Sequence, residues 1–327
     1  MRRRLSPGGS AALLAGALAA AAISLLFGHS LRFDPQGWLL WGHEVRHGLE
    51  HFDTSAYPSW KPLGLLLAVP VAATGPAAPT LWLLLIRTAG ILGMLLIGRL
   101  AAQRAGALGG VVAMALFALA PGWWPTLLGG GIEPVIVLLA GAAVLTHEQG
   151  RHGLALTLLA AMALGREEAL LLVLGYGVAH WRARPALPIV ATLMAVAVGA
   201  AWFVGDWLGS GDPAHGAALA KLAGPESPVS RFNATATLVA LFVVPVALAL
   251  AAAGVVAARR TGDRVVLAVA SGGIAWIGVD LVLLALGYPV PARFLLPALA
   301  AWAITAGVGV RPVPTAALRR ASDVAGG

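Results

Sequence analysis

The chain has 327 residues, of which 59% are hydrophobic and only 11% charged, and its mean hydropathy of +0.85 lies far outside the range of a soluble domain. The formal net charge of +8 does not point to nucleic acid, because the basic residues sit in short turns between apolar runs, the positive-inside pattern of a multi-pass membrane protein. Cysteine is absent, which excludes disulfides and thiolate metal sites.

Taken in order, MRRR and the apolar run from about Ala11 to Phe27 read as an uncleaved first span whose arginines hold the N-terminus in the cytoplasm. Residues 31–61 then form the first outer loop. Within it Trp38, Leu39, Trp41 and Val45 recur at near-helical spacing, which predicts an amphipathic helix lying in the membrane interface. The next apolar piece, about 62–76, is short and interrupted by Pro70 and Gly75. It reads as a juxtamembrane helix, because a full crossing would invert every later basic turn.

Further crossings are expected near 79–101, 106–121, 132–147, 153–164, 168–182, 187–205, 233–257, 265–287 and 292–310. The expectation is an all-α, polytopic transmembrane helical bundle of about ten spans. It forms a single domain over 1–327 in the cell (inner or plasma) membrane, with both termini cytoplasmic. The runs 153–164 and 168–182 are short for perpendicular crossings and suit a tilted pair or a re-entrant hairpin.

This topology collects carboxylates at the outer face. Asp34 stands where the chain leaves the first span, and Glu133 opens a later one after a run of three glycines. Arg166, Glu167 and Glu168 fall together between two short apolar runs, where three charges need partners or a polar cavity. Lys61, one of only two lysines, precedes Pro62, and Arg293 holds the matching place before the last span. A lysine and an arginine at membrane level suit a phosphate head group, as point charge and planar fork.

The middle of the loop spells HExxH from His43 to His47, with two imidazoles one helical turn apart and Glu44 to activate water. His51 or Asp53 is available as a third ligand, so a divalent cation is a possible cofactor. Two alternatives to a transferase follow from the residues: a membrane zinc metalloprotease using His43, Glu44 and His47, and a transporter or non-catalytic scaffold claiming the intramembrane Asp280.

The order of Asp34 after the first span, an amphipathic loop helix, the Lys61-Pro62 pair, Glu133 at a helix start and Arg166 to Glu168 resembles the GT-C glycosyltransferases. The similarity is to the family 39 and lipid A aminoarabinose transferase neighbourhood, of actinobacterial type. It implies transfer of a sugar from a polyprenyl-phosphate donor to an acceptor hydroxyl on the outer face, the acceptor being an envelope glycan, lipid or protein. It implies that Asp34 acts as catalytic base, with Glu133 as the second acidic position. Lys61 and Arg293, with Arg166, would contact the donor phosphate, and Glu44, Asp53 and Glu168 would support the site. Trp60 stands where the family carries a glutamate before its Lys-Pro pair.

Overall fold

The computed structural model describes residues 7–28, 30–56, 58, 60–222, 224, 227, 229–230 and 245–310. Every regular element among them is helical: α1 (Pro7–Ser24), α2 (Phe33–His47), α3 (Pro62–Ala72), α4 (Ala78–Ala118), α5 (Trp123–Leu128), α6 (Glu133–Glu148) and α7 (His152–Ala163) are followed by α8 (Ala169–Ala179), α9 (Ala186–Ser210), α10 (His215–Leu222), α11 (Pro245–Thr261), α12 (Arg264–Ala285) and α13 (Leu296–Gly309). Arg2 to Arg4, Glu226, the first part of the crossing expected at 233–257, and residues 311–327 lie outside the described residues.

Among the described residues five stretches are long and apolar enough to cross a membrane: Gly8–Phe27, Gly75–Ala118, Ala186–Ser210, Arg264–Ala285 and Ala292–Gly309. With no water in a bilayer core, a helix is the form in which such stretches satisfy their own backbone groups. The helices α3, α7 and α8 are equally apolar but only 11, 12 and 11 residues long. At 1.5 Å per residue each reaches about 17–18 Å, well short of a bilayer core of about 30 Å.

The longest of the five is two helices joined at Gly106, whose φ of 74° and ψ of −175° leave the helical region. Glycine tolerates this conformation because it has no Cβ. Beyond it the chain folds back: a Cβ on Gly110 would lie 2.8 Å from the carbonyl of Gly98, a residue that a straight helix would hold about 18 Å away. Small residues at 98, 102 and 110 let the two arms close together.

The loop helix α2 forms where its spacing predicts, but its apolar face meets protein. Trp38 is 1% exposed, packs 5.8 Å from the Trp82 ring on α4, and covers Gly64 of α3. A one-residue glycine notch on each helix, Gly42 against Ala68 and Gly64 against Trp38, brings α2 onto α3. The membrane-interface reading of this face is therefore corrected: the second apolar surface needed to bury it is supplied by α3 and α4. Trp41, Phe52 and Trp60 complete an aromatic box, with ring centroids 5.5–6.2 Å apart. Burying each such side chain contributes roughly 2–3 kcal/mol.

Arg87, 1% exposed on α4, closes the other side of this layer. It donates to the Ser24 hydroxyl, the Gly28 carbonyl and the Leu128 carbonyl at 3.0, 2.6 and 2.9 Å. One guanidinium thus takes up the last carbonyl of α5 and fixes the end of α1 and the turn after it against α4.

Candidate functional site

Asp34 is the second residue of α2, and its side chain does not cap the helix. Its carboxylate instead accepts a hydrogen bond from Arg293 Nη2 at 2.9 Å, across 259 positions of sequence. The start of α2 is held by Arg32, whose amide donates to the Gly129 carbonyl at 3.0 Å. The glycine run makes that approach feasible, with Gly130 at φ 81° turning the chain into α6. Glu133 opens α6 without capping it, is 3% exposed, and lies 3.6 Å from Arg293 Nε. Arg293 therefore bridges two acids from two different helices.

Arg293 sits on the single 3-10 turn Ala292–Leu295 that leads into α13. The indole of Trp276 on α12 donates to the Phe294 carbonyl at 2.9 Å and fixes that turn. The Phe294 ring then becomes a meeting point for cations. The Arg166 guanidinium lies 3.2 Å from its centroid, that of Arg293 5.6 Å, and the Lys61 ammonium 6.0 Å. Lys61 also faces the Trp202 ring at 5.6 Å. It is brought there because the Leu63 amide donates to the Leu164 carbonyl at 2.9 Å, joining the start of α3 to the turn between α7 and α8.

The three cations are not equally neutralised. Arg166, 1% exposed, pairs with the buried Glu168, yet its Nη1 has no hydrogen-bond partner. Lys61 is 7% exposed and forms no ion pair among the described residues. Lys61 lies in the loop before α3, where burial, and after it the charge of Arg166, pull its ammonium below the ordinary lysine value. Asp280 on α12, fully buried, is a neighbour of Glu168 and Arg166. Between Asp34, Glu133 and Arg293 remains a cleft, also lined by Arg32 and Thr126, with room for little more than a water.

The structure thus brings together Asp34, Lys61, Glu133, Arg166, Glu168 and Arg293. It leaves Glu44 and Asp53 with each other: the Asp53 amide donates to Glu44 at 3.3 Å. Asp53 in turn accepts from the Ser55 amide at 2.7 Å, and the hydrogen bonding from Ser55 holds its carboxyl below the usual range. His43 and His47 stack on an exposed face of α2, with ring centroids 4.2 Å apart. Nδ1 of His47 faces the His43 carbonyl at 2.8 Å. Among the described residues the group of metal-ligating side chains that could hold an ion is elsewhere: His147, His152 and His180. The HExxH helix turns its histidines outward, while Glu44 is taken up by the following loop.

Sequence reasoning passed over Phe294 and Trp202, the rings that organise the cations. Phe294 carried a signal, since it directly follows Arg293. Compared with family models, curated proteins and solved structures, the chain has no match.

Proposed function

We propose that the chain is a GT-C-type glycosyltransferase that moves a sugar from a polyprenyl-phosphate donor to an acceptor hydroxyl at the outer face of the cell membrane. In this reading about ten segments cross the bilayer, with α7, α8 and the two arms of α4 included and α3 lying at the membrane surface, and both termini are cytoplasmic. The observation that carries it is the gathering of Lys61, Arg166 and Arg293 within 6.0 Å of the Phe294 ring, where among the described residues Lys61 forms no ion pair and Arg166 Nη1 has no acceptor. Buried cations without acceptors are costly, and a phosphate head group supplies the missing oxygens. The carboxylate of Asp34 at the edge of that group gives it an acid–base partner.

The acceptor O–H loses its proton to Asp34 as its oxygen attacks the anomeric carbon. The anomeric C–O bond breaks, its electron pair leaving on polyprenyl phosphate, and Arg293, Lys61 and Arg166 stabilise the charge that grows there. Phosphate is a good leaving group, so base and fixed positive charge suffice. Glu133 holds Arg293 in place from its other side. The cleft as it stands admits no sugar ring, so donor binding must part Arg293 from Asp34.

Asp34→Asn is isosteric and keeps one hydrogen bond to Arg293. The variant is expected to fold and to lose sugar transfer by about 100-fold or more, the usual contribution of a positioned base. The measurement is release of polyprenyl phosphate from a panel of polyprenyl-phosphate pentoses and hexoses in membranes. Full turnover by the variant removes the assignment.

A further inference from the structure

The helices that carry Glu133, Arg166 and Glu168 at one end share a second cluster at the other. His147 lies in the last turn of α6, His152 is the first residue of α7, and His180 follows α8 directly. The 16 residues of α6 put about 24 Å between Glu133 and this end, so the cluster is separate from the site around Phe294.

The three imidazoles form a nearly regular triangle, with ring centroids 5.1, 5.2 and 5.1 Å apart. One ring nitrogen of each lies within 4.8 Å of those of the other two. Around a tetrahedral ion with metal–nitrogen bonds of about 2.0–2.1 Å, such atoms stand about 3.4 Å apart, so small side-chain rotations close the set. A single residue, Tyr176, faces all three rings. Its hydroxyl is 3.0 Å from Nδ1 of His147 and 2.9 Å from Nδ1 of His152, and its carbonyl is 2.9 Å from Nδ1 of His180.

A carbonyl only accepts, so His180 donates there and keeps its Nε2 lone pair. The Tyr176 hydroxyl has two lone pairs and can accept from the other two rings in the same way. This is the outer arrangement that fixes the tautomer of metal-bound histidines. All three side chains are half-buried, so an ion can reach them.

We propose that His147, His152 and His180 form a binding site for a divalent transition metal, with zinc the ion it suits, and with Tyr176 as its outer partner. Three neutral nitrogens and no carboxylate exclude magnesium and calcium, which require oxygen ligands. Arg184 adds positive charge near His152, while Glu148, adjacent to His147, is paired with Arg104. Bound there, the ion would staple α6, α7 and α8 at the end opposite Lys61 and Arg293. The site is independent of the sugar-transfer reading.

The test uses the full chain in detergent, stripped with chelator and titrated with cobalt(II) as an optical probe and zinc as its competitor. The wild type is expected to take up one equivalent of cobalt with tetrahedral absorption bands, to release it to zinc, and to unfold at a higher temperature with zinc than without. His152→Asn and His180→Ala are expected to weaken binding by more than the roughly 10- to 100-fold that loss of an outer partner costs. Tyr176→Phe, which keeps the ring, should fall within that range, and a His43→Ala/His47→Ala double variant should bind as the wild type does. Wild-type protein that takes up no ion overturns the site. So does uptake that survives in both His152→Asn and His180→Ala, or that disappears only in the His43→Ala/His47→Ala protein.

Discussion

Lys61 shows how a residue can weaken the fold that holds it. A buried ammonium loses its hydration, and its two aromatic neighbours return only part of that loss. Replacing it by methionine keeps the stem and removes the charge, so Lys61→Met is expected to raise Tm while lowering donor affinity about tenfold or more, the worth of one charge-assisted phosphate contact. Because the folded-state value of Lys61 lies below that of the unfolded chain, the unfolded chain takes the proton more readily. The contribution of Lys61 to stability is present above the unfolded value and lost as pH falls through the folded one. The Tm advantage of Lys61→Met should therefore widen as the pH is lowered from the alkaline limit towards neutrality, in thermal scans at matched ionic strength. A variant less stable than wild type at neutral pH would mean that Lys61 has an anionic partner in the resting protein.

At the scale of elements, the position of Lys61 depends on a contact made one residue earlier. The Trp60 indole lies against Gly205 of α9, where an added Cβ would come within 2.1 Å of the ring, and its N–H donates to the Ala201 carbonyl at 3.2 Å. Gly205→Val should expel the ring, cost about 1–3 kcal/mol and carry Lys61 out of place, so turnover should fall with Tm. Restored turnover in a Gly205→Val/Trp60→Ala double variant, read in the same assay, would show that the collision is the cause.

These elements were unevenly legible in the sequence. The helical spacing of Trp38, Leu39 and Trp41 announced α2, because periodicity follows from the 3.6-residue turn. The charges at apolar boundaries announced Lys61, Glu133, Arg166 and Arg293, because hydrocarbon makes such residues conspicuous. What α2 packs against was not legible, since a helix shows its apolar face but not the partner that covers it. Nor was the histidine triangle: His147, His152 and His180 are ordinary helix-end residues until three short helices stand side by side.

For the whole molecule, the charges divide by end. Lys61, Glu133, Arg166 and Arg293 gather at one, while Arg104 joins Glu148 and Asp263 at the other, tying α4, α6 and α12. The proposed topology places the first end outside the cell. Since the chain has no cysteine, single substitutions report on this directly. Ser55→Cys, exposed near the first end, should react with a membrane-impermeant maleimide in intact cells. Thr261→Cys, exposed near the second, should react only after permeabilisation. The reverse pattern would turn the molecule over and exclude an outer-face reaction.

The bond between Arg293 and Asp34 has a bearing on timing. In the resting protein the guanidinium occupies the carboxylate that the proposed reaction needs. In the proposed reaction an arriving phosphate would compete for Arg293 and so expose Asp34 only once the donor is seated. Such an exchange would impose an order of addition, donor before acceptor, and would keep the proposed base covered whenever there is no sugar to transfer.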